Sequence, residues 1–379
     1  RFAPSPTGRI HIGNARTAIL NWLLAKKTGG QFILRYDDTD TQRSKAEYAD
    51  SIAVDLNWLG VKPDRVEWQS RRIGKYDASA EKLKANGLLY PCYETADELD
   101  RKRKRQALKN LPPVYDRSAL KLTAEERAKL EAEGRKPHWR FKLDQKQVEW
   151  RDLIRGPVHV DTGSQSDPVC IREDGTYLYT FCSVIDDIEF GITHVIRGED
   201  HVVNTAVQTE ITAALGGAVP AYGHHSWLVG ADGKGLSKRL GSLSISAMRE
   251  EGLEAMAVVS HAALLGTSDA IHPCADYKEL VDGFDLAKLS RAPARFDEAE
   301  LRGLNAKLLH MLEWDAVKDR LGFGSEAFWL AVRGNLEKLS DAKLWHEVVA
   351  GKVTPVVAGE DRGFISASAS FAKDMTEIK

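Results

Sequence analysis

The chain has 379 residues, 43% hydrophobic and 28% charged, with a formal net charge of −2. This length predicts two or three domains, and the near-neutral charge excludes a uniformly basic coat for nucleic acid, so that any such partner would meet a local basic patch. The four cysteines form no C-x-x-C pair, which argues against a disulfide framework and favours a reducing compartment, and no apolar run has membrane-spanning length.

Residues 1–83 alternate between strand and helix patterns. Apolar spacing predicts a helix over 13–27 that ends at Gly29, a strand over 31–36 and a helix over 45–59. This order predicts a parallel sheet with helices on both faces. Because such sheets bind ligands at the carboxyl ends of their strands, we expect the turns at 4–14 and 37–40 to line a site.

From 84 to 175 the alternation breaks, which predicts an insertion between two halves of one sheet. Its predicted elements are a helix near 123–133 and strands at 139–143 and 156–160. The α/β pattern resumes over 176–215, with a strand at 193–197 and a helix at 202–215. A mixed region follows to 297, and from 298 onward the pattern is helical.

A motif at the N-terminus joins turn residues to the first predicted helix. It reads PSPTGRIHIGN over 4–14, with His11 and Gly13 at the helix start. A helix N-terminus offers free N–H groups to a nucleotide phosphate, a His side chain can donate to the same phosphate, and Gly permits close backbone approach. An ordinary capped turn is the structural alternative, and the Pro-Ser-Pro-Thr-Gly run upstream favours the phosphate site.

A second motif, GLSKR at 235–239, lies past the middle of the chain. Small residues beside the cations Lys238 and Arg239 suit a mobile loop that closes over phosphates and neutralises a departing pyrophosphate. By itself such a pair is usually a solvated basic turn. Taken with the first motif it predicts ATP-dependent adenylyl transfer, with His11 and Lys238 converging on one triphosphate.

Three arginines near predicted strand ends, Arg1, Arg35 and Arg197, can pair in a bidentate manner with a carboxylate. An enzyme that selects an acidic substrate needs such a clamp, and Asp37 could receive the ammonium group of that substrate. An Arg–Asp ion pair that ties the end of the sheet explains each of these residues at least as well.

A run of five cations in the predicted insertion has two equal interpretations, a solvated helix face or a contact with nucleic-acid phosphates. The run is Arg101, Lys102, Arg103, Lys104 and Arg105. Metal binding is not expected, because the cysteines and the pair 224–225 lack ligand spacing. Cys92 offers one thiol where a zinc knuckle needs two, so we predict no structural zinc.

The chain resembles the glutamyl-tRNA synthetases of bacterial type, which are class I aminoacyl-tRNA synthetases of the glutamate and glutamine branch. The matching stretches are RFAPSPTG at 1–8, HIGN at 11–14, DDTD at 37–40, YTF at 179–181, VIRGEDH at 195–201 and LSKR at 236–239. HIGN corresponds to the HIGH motif of the family and LSKR to its KMSKS motif. As a set these stretches are highly specific.

The resemblance implies a Rossmann-type catalytic domain split by an α+β insertion that binds the tRNA acceptor stem. The implied parts are 1–83 and 176–215 for the catalytic domain, 84–175 for the insertion, 216–297 for a stem-contact region and 298–379 for an incomplete helical anticodon-binding domain. The implied reaction joins ATP, accompanied by Mg²⁺, and L-glutamate into glutamyl-adenylate and then transfers glutamate to tRNA(Glu). The family needs its tRNA for the first step, and we expect a cytoplasmic monomer with no membrane partner.

The resemblance also implies roles for individual residues. The implied catalytic residues are His11, Gly13 and Lys238. The implied ATP-binding residues are Thr7, His11, Gly13, Asn14, Glu199, Lys238 and Arg239. The implied glutamate-binding residues are Arg1, Ser5, Asp37, Tyr179, Ser183 and Arg197. A buried Arg would separate glutamate from nearly isosteric glutamine, because glutamine leaves the guanidinium without a counter-charge.

Some positions depart from the family pattern. Asp37 stands where Glu is usual, Asn14 replaces the last His of HIGH, and Arg239 replaces the final Ser of KMSKS. Ser183 occupies a variable position, and the cysteines of zinc-binding members are reduced to Cys92. The chain starts without Met, which leads us to expect upstream residues. It also ends short of the length that the family implies, either because the C-terminal anticodon subdomain was removed or because this member is truncated.

Four alternatives remain beside a glutamate-specific ligase. A non-discriminating form that also charges tRNA(Gln) would have the same active site. A glutamyl-queuosine-type paralogue would lack the helical pattern at 298–350. A catalytically inactive tRNA-binding module would not need His11, Gly13, Arg197 and Lys238 together, and a small-molecule adenylyltransferase would not need the basic insertion or the helical C-terminal part.

Overall fold

The computed structural model describes residues 1–236, 243–352, 359 and 361–368. The chain divides into two compact units, 1–308 and 309–379. The finer division into five parts stays a prediction. Within the described ranges, no helix combines the length and apolar character that a bilayer crossing requires.

The first unit opens with parallel strands joined by helical crossovers. Its first elements are α1 (Ile12–Thr28), β1 (Ile33–Tyr36), α2 (Ala46–Trp58), β2 (Arg65–Trp68) and α3 (Ile73–Ala85). Phe2 forms a parallel bridge with Leu34, and β1 runs parallel to β2. The predicted helices and strand are confirmed, and α1 ends at Gly29, whose φ of 66° is left-handed and favours glycine.

The predicted insertion is built from antiparallel strands and two exposed helices. Its elements are β3 (Leu89–Cys92), α4 (Ala96–Leu108), α5 (Ala124–Ala132), β4 (His138–Phe141), β5 (Gln147–Asp152), β6 (Gly156–Asp161) and β7 (Val169–Ile171). Strands β3, β4 and β7 form one antiparallel sheet, and β5 and β6 pair antiparallel. Thr95 and Thr123 form capping boxes at the starts of α4 and α5. These local hydrogen bonds stabilise two helices that bury no residue.

Parallel pairing resumes after the insertion. The elements are α6 (Tyr179–Glu189), β8 (His194–Gly198), α7 (Val202–Leu215) and β9 (Ala221–His225). β8 and β9 are parallel, with Arg197 opposite His224 and α7 as the crossover. The predicted strand and helix of this segment are therefore confirmed, as is the parallel α/β fold split by an α+β insertion.

The remainder of the first unit and the described part of the second are mainly helical. The elements are β10 (Leu228–Gly230), α8 (Ile245–Glu251), α9 (Ala255–Leu264), α10 (Tyr277–Gly283), β11 (Ala294–Phe296), α11 (Glu298–Met311), α12 (Trp314–Leu321), α13 (Glu326–Val332) and α14 (Ala342–Val349). In the second unit, a small core forms around fully buried Trp329. The predicted helical C-terminal character is confirmed.

Helix α1 lies on the largest core of the first unit and is held by polar contacts as well. The Arg16 guanidinium, fully buried, donates to three backbone carbonyls, including that of Leu265 at 2.7 Å. The Asn21 side chain bonds both the N–H and the C=O of Ile196 in β8. These contacts fix the N-terminal turns of α1 relative to the ends of the parallel strands.

Candidate active site

The N-terminal motif lies beside the carboxyl ends of the parallel strands. The N–H of Asp37, just after β1, donates to the carbonyl of Pro4 at 3.0 Å. The Thr17 hydroxyl in α1 lies 2.9 Å from Nε2 of His225, the last residue of β9. The turn and the strand ends that the sequence analysis placed at one edge therefore meet there.

His11 is the N-cap of α1 and has a defined tautomer. Its Nδ1 accepts the Gly13 N–H at 3.1 Å, so the ring proton of the neutral imidazole lies on Nε2. Burial lowers the pKa of His11, which keeps the ring neutral at pH 7. A Cβ on Gly13 would lie 2.9 Å from His11 Cε1, so any larger residue there would displace the His11 ring. The result is an N–H donor at a helix N-terminus, an arrangement suited to phosphate charge.

The segment that follows the second motif is paired with the first. Residues 243–245 lie antiparallel to 10–12, through backbone hydrogen bonds of 3.0 and 3.1 Å. Lys238 and Arg239 lie in 237–242, outside the described residues. Their convergence with His11 therefore stays a prediction, supported by this adjacent pairing.

Arg197 is a buried cation surrounded by neutral groups. Its guanidinium donates to Thr205 Oγ1 at 2.6 Å, Gln208 Oε1 at 2.8 Å, Tyr179 Oη at 3.1 Å and His224 Nε2 at 3.3 Å. The residue is only 5% exposed. Within the described part of the chain, no carboxylate lies within 4.0 Å of this guanidinium. A buried charge without a partner is costly, so the site favours an anionic ligand.

The Asp152 carboxylate lies near Arg197 but is separated from it by the His224 ring. The Nδ1 of His224 is 2.5 Å from Asp152 Oδ2, while its Nε2 faces Arg197. Burial by itself would raise the pKa of Asp152, but hydrogen bonds from His224 and from three backbone N–H groups lower it to about 2. Burial lowers the pKa of His224, so a neutral imidazole separates the two charges. Asp152 thus orients His224 without directly neutralising Arg197.

The other two predicted clamp arginines are already paired with carboxylates. Arg1 donates to Asp187 through Nε and Nη2, both at 2.9 Å. Arg35 donates to Asp37 at 2.6 and 3.1 Å and to Asp187 at 2.9 Å. Asp186 lies 3.6 Å from Arg35. These pairs match the ion-pair explanation that the sequence left open.

Buried ion pairing accounts for the titration behaviour of Asp187 in this cluster. Burial disfavours the charged form of Asp187, but the Arg1 and Arg35 guanidinium groups hold its pKa below the usual range. Asp187 is therefore ionised at neutral pH and contributes one of the three carboxylates that surround the two arginines.

Helix α6 connects this cluster with Arg197. Tyr179, Ser183 and Asp187 follow one another at four-residue spacing and so share one helix face. The Tyr179 hydroxyl accepts from Arg197, and Ser183 Oγ accepts from Arg1 at 3.2 Å and from Arg35 at 3.0 Å. Tyr179 and Ser183 therefore lie on one face of α6, and two further predicted glutamate-binding residues, Arg1 and Arg197, contact that face.

The remaining predicted ATP and glutamate contacts lie nearer the solvent. Ser5, Thr7 and Asn14 are exposed, at or beside the start of α1. Glu199 follows β8, where its carboxylate pairs with Arg155 at 2.7 Å and accepts the Trp227 N–H at 3.1 Å. Their positions are compatible with ligand contact, and their roles remain predictions.

The basic run lies on α4 and does not act as one uniform face. Lys102 is turned inward, 3.2 Å from Glu94 and 3.3 Å from Asp116, and Lys104 pairs with Asp100 at 2.8 Å. Arg101, Arg103 and Arg105 are exposed. A contact with tRNA would therefore rest mainly on these three arginines.

Three potential metal ligands gather at the base of the predicted insertion. Cys92, Glu94 and His138 place their ligand atoms within 4.8 Å of one another. The Lys102 ammonium already neutralises Glu94, and burial raises the pKa of the Cys92 thiol to about 12. The absence of structural zinc stays a prediction.

Sequence reasoning missed the residues that surround the predicted ones. Asp187, Asp152 and His224 shape the charge of the site, and Arg16 and Asn21 hold α1 in place. The acidic pair at 186–187 inside an apolar helix was the one local signal, because buried acids need partners. Asp152 and His224 are 72 positions apart and carried no such signal.

The fold and the site together define a class I aminoacyl-tRNA synthetase. The model of the family "tRNA synthetases class I (E and Q), catalytic domain" matches residues 1–303. The chain belongs to this family.

Individual relatives and a solved structure show which members of this family the chain is similar to. The chain is 59% identical over 373 residues to "Glutamate--tRNA ligase 2" of Beijerinckia indica, an alignment that covers 96% of this chain and 82% of the relative. It is 56% identical over 383 residues to "Glutamate--tRNA ligase 1" of Brucella ovis, with 96% and 84% covered. The crystal structure of a glutamate tRNA ligase from Elizabethkingia meningosepticum aligns with a TM-score of 0.82 and 30% identity, over 92% of this chain and 79% of that one.

Proposed function

We propose that this chain ligates L-glutamate to tRNA(Glu) with ATP, through a glutamyl-adenylate intermediate. Family membership and the similarity to proteins named glutamate–tRNA ligase support the reaction. The observation that carries the substrate assignment is the buried Arg197 guanidinium, whose hydrogen-bond partners within the described ranges are all neutral. A side-chain carboxylate would supply its missing counter-charge.

Selection between glutamate and glutamine follows from the same group. Glutamine would place a neutral amide against Arg197 and leave the guanidinium uncompensated in a buried site. Sites that pair a buried polar or charged group with the substrate reject analogues lacking the partner far better than apolar pockets do. Arg1, Ser5, Asp37 and Ser183 are proposed to receive the main-chain end of the amino acid.

The phosphate end is proposed to lie at the start of α1. The Nε2–H of His11 and the backbone beside Gly13 would stabilise the negative charge that develops at the α-phosphate, as a preorganised donor does at other oxyanions. Thr7, Asn14 and Glu199 are proposed to contact ATP, and Lys238 and Arg239 to neutralise pyrophosphate. Mg²⁺ would be bound together with the nucleotide.

The reaction divides into two substitutions. An oxygen of the glutamate α-carboxylate attacks the α-phosphorus of ATP, and the bond to pyrophosphate breaks. A 3′-terminal hydroxyl of the tRNA then attacks the carbonyl carbon, its proton is lost, and AMP departs with the electrons of the broken C–O bond. The chain supplies positioning and charge stabilisation for both steps rather than a covalent intermediate.

Transfer RNA is proposed to bind along the insertion and the helical C-terminal region. Exposed Arg101, Arg103 and Arg105 on α4 offer phosphate contacts whose strength falls as salt rises. We propose that 84–175 contacts the acceptor stem and that 298–379 contributes to anticodon binding. The protein is proposed to act as a cytoplasmic monomer.

Aminoacylation assays with purified tRNA(Glu) and tRNA(Gln), each with glutamate and with glutamine, test this function. We expect ATP-dependent charging of tRNA(Glu) with glutamate and none with glutamine. Glutamate charging of tRNA(Gln) as well would identify the non-discriminating form. Failure to charge tRNA(Glu), or charging with glutamine, would overturn the proposal.

A further inference from the structure

A group of metal-ligating side chains lies away from the active site, at the start of α10. His272 and Cys274 belong to the loop before this helix, and Glu279 belongs to its first turn. The ligand atoms of all three lie within 4.8 Å of one another. The proposed reaction uses none of them.

Two of the three separations between these atoms are close to the edge lengths of a metal-centred tetrahedron. His272 Nε2 lies 3.7 Å from Cys274 Sγ and 3.5 Å from Glu279 Oε1. With the usual zinc bond lengths, ligand atoms in a tetrahedral site lie about 3.3–3.6 Å apart. Metal binding would therefore need only small side-chain adjustments.

The surrounding hydrogen bonds orient the lone pairs inward. His272 Nδ1 lies 2.9 Å from the Ala270 carbonyl, which fixes the Nδ1–H tautomer and leaves the Nε2 lone pair for a metal. Glu279 Oε2 accepts the Ala275 N–H at 2.8 Å, so the other carboxylate oxygen faces His272. Backbone contacts of this kind are the supporting interactions typical of metal-binding His and carboxylate groups.

We propose that His272, Cys274 and Glu279 bind one Zn²⁺-class cation, with a water molecule as the fourth ligand. The thiol and imidazole donors favour zinc or cobalt over magnesium and calcium. Binding replaces the thiol proton by the metal, so that one S–H bond breaks, one S–metal bond forms and one proton is released to solvent. This proposal differs from the expectation of no structural zinc, which considered cysteine spacing and not a His–Cys–Glu set.

The position of the cluster suits an ion that stabilises the packing of α10 against α1. Tyr277 in α10 donates its hydroxyl proton to the Leu59 carbonyl at 2.9 Å and packs edge-on against Trp22 of α1. A cavity of about 200 Å³ adjoins the cluster and reaches Leu23 of α1. A metal would join the 272–276 loop to α10 and thereby stiffen the surface on which α1 rests.

Cobalt titration of the chelator-treated full chain tests the proposal. We expect one Co²⁺ per chain, a thiolate-to-cobalt charge-transfer band, and displacement by Zn²⁺. His272→Ala and Glu279→Gln, both at half-exposed side chains, should weaken binding at least tenfold, and Cys274→Ser should abolish the band. Circular dichroism of each variant checks that it is folded.

Cys92→Ser is the matched control, because Cys92 lies in the other His–Cys–Glu group. It should leave the cobalt band unchanged. The proposal fails if no band forms, if the band survives Cys274→Ser, or if Cys92→Ser removes it. If Cys274→Ser does not fold, unchanged binding by folded His272→Ala and Glu279→Gln refutes the site equally well.

Discussion

A buried pair of arginines and a single buried arginine contact the same face of α6 but differ in charge balance. Arg1 and Arg35 are surrounded by the carboxylates of Asp37, Asp186 and Asp187. Among the described residues, Arg197 donates only to neutral groups. The comparison teaches that burial alone does not show which arginine needs a counter-charge from a ligand. The carboxylates that surround the arginine within the protein determine that need.

The largest expected effect is on stability, from Arg35→Met. This change leaves Asp37 and Asp187 buried with less positive charge, and breaking a buried ion pair in this way costs about 3–5 kcal/mol. Chemical denaturation should show the loss as a lower midpoint. Arg65→Met, at an exposed pair with Glu67, is the control and should change stability little. An Arg35→Met protein as stable as the unmodified chain would contradict the structural role of this ion-pair cluster.

Arg197→Met should have the opposite profile, with a stable fold and poor use of glutamate. Removing one partner of a buried charge pair formed with substrate should reduce kcat/KM for glutamate by roughly 10²–10³-fold, about 3–4 kcal/mol. The unfolding free energy should be unchanged or raised, because an uncompensated charge leaves the interior. Steady-state aminoacylation and denaturation measure both quantities, with exposed Arg302→Met as control. Unchanged glutamate kinetics would exclude Arg197 from the pocket.

His11→Ala sharpens the comparison by removing a donor that belongs to neither charge group. Loss of a single preorganised donor typically costs 10²–10³-fold in kcat, or about 3 kcal/mol. The expected loss is in kcat for aminoacylation, with little change in KM for glutamate. Thr17→Ser, nearly two turns further along α1, is a conservative control. A KM effect for glutamate alone would contradict the phosphate role.

The smallest effect concerns Asp152, which orients His224 behind Arg197. Its pKa is about 2 in the folded protein and higher when unfolded, so its stabilisation is complete above about pH 4 and is lost as the pH falls through about 2. Asp152→Asn should lower the unfolding free energy by about 2 kcal/mol at pH 7. Denaturation at pH 7 and below pH 3 should show this difference shrinking. A difference independent of pH would show that Asp152 does not titrate as described.

Much of the fold was predictable because it rests on local patterns. Apolar spacing and Gly29 located α1, and the helix near 123–133 has the Thr123 capping box that a Thr-x-x-Glu pattern signals. The strand and helix of 193–215 were also located within a residue or so. The Thr-x-x-Glu patterns that begin at Thr95 and at Thr123 are local signals of these capping boxes, and neither entered the sequence prediction.

The sequence named candidate site residues but not the groups that balance their charges. The sequence singled out Arg1, Arg35, Asp37 and Arg197, and could not decide which arginine was paired. Asp187 resolves that question for Arg1 and Arg35 from more than 150 positions away along the chain. Lys238 remains untested because it lies outside the described residues.

The sequence by itself determined the alternation of the main strands and helices, their approximate ends and the family to which the chain belongs, because turns and apolar periods act over a few residues. Only the tertiary structure decided that Arg197 has no counter-charge among the residues it describes and that His272, Cys274 and Glu279 come within ligand distance of one another. The physical reason is that pairing and coordination depend on separations in space of a few ångströms. Long-range packing sets those separations, whatever the distance along the chain.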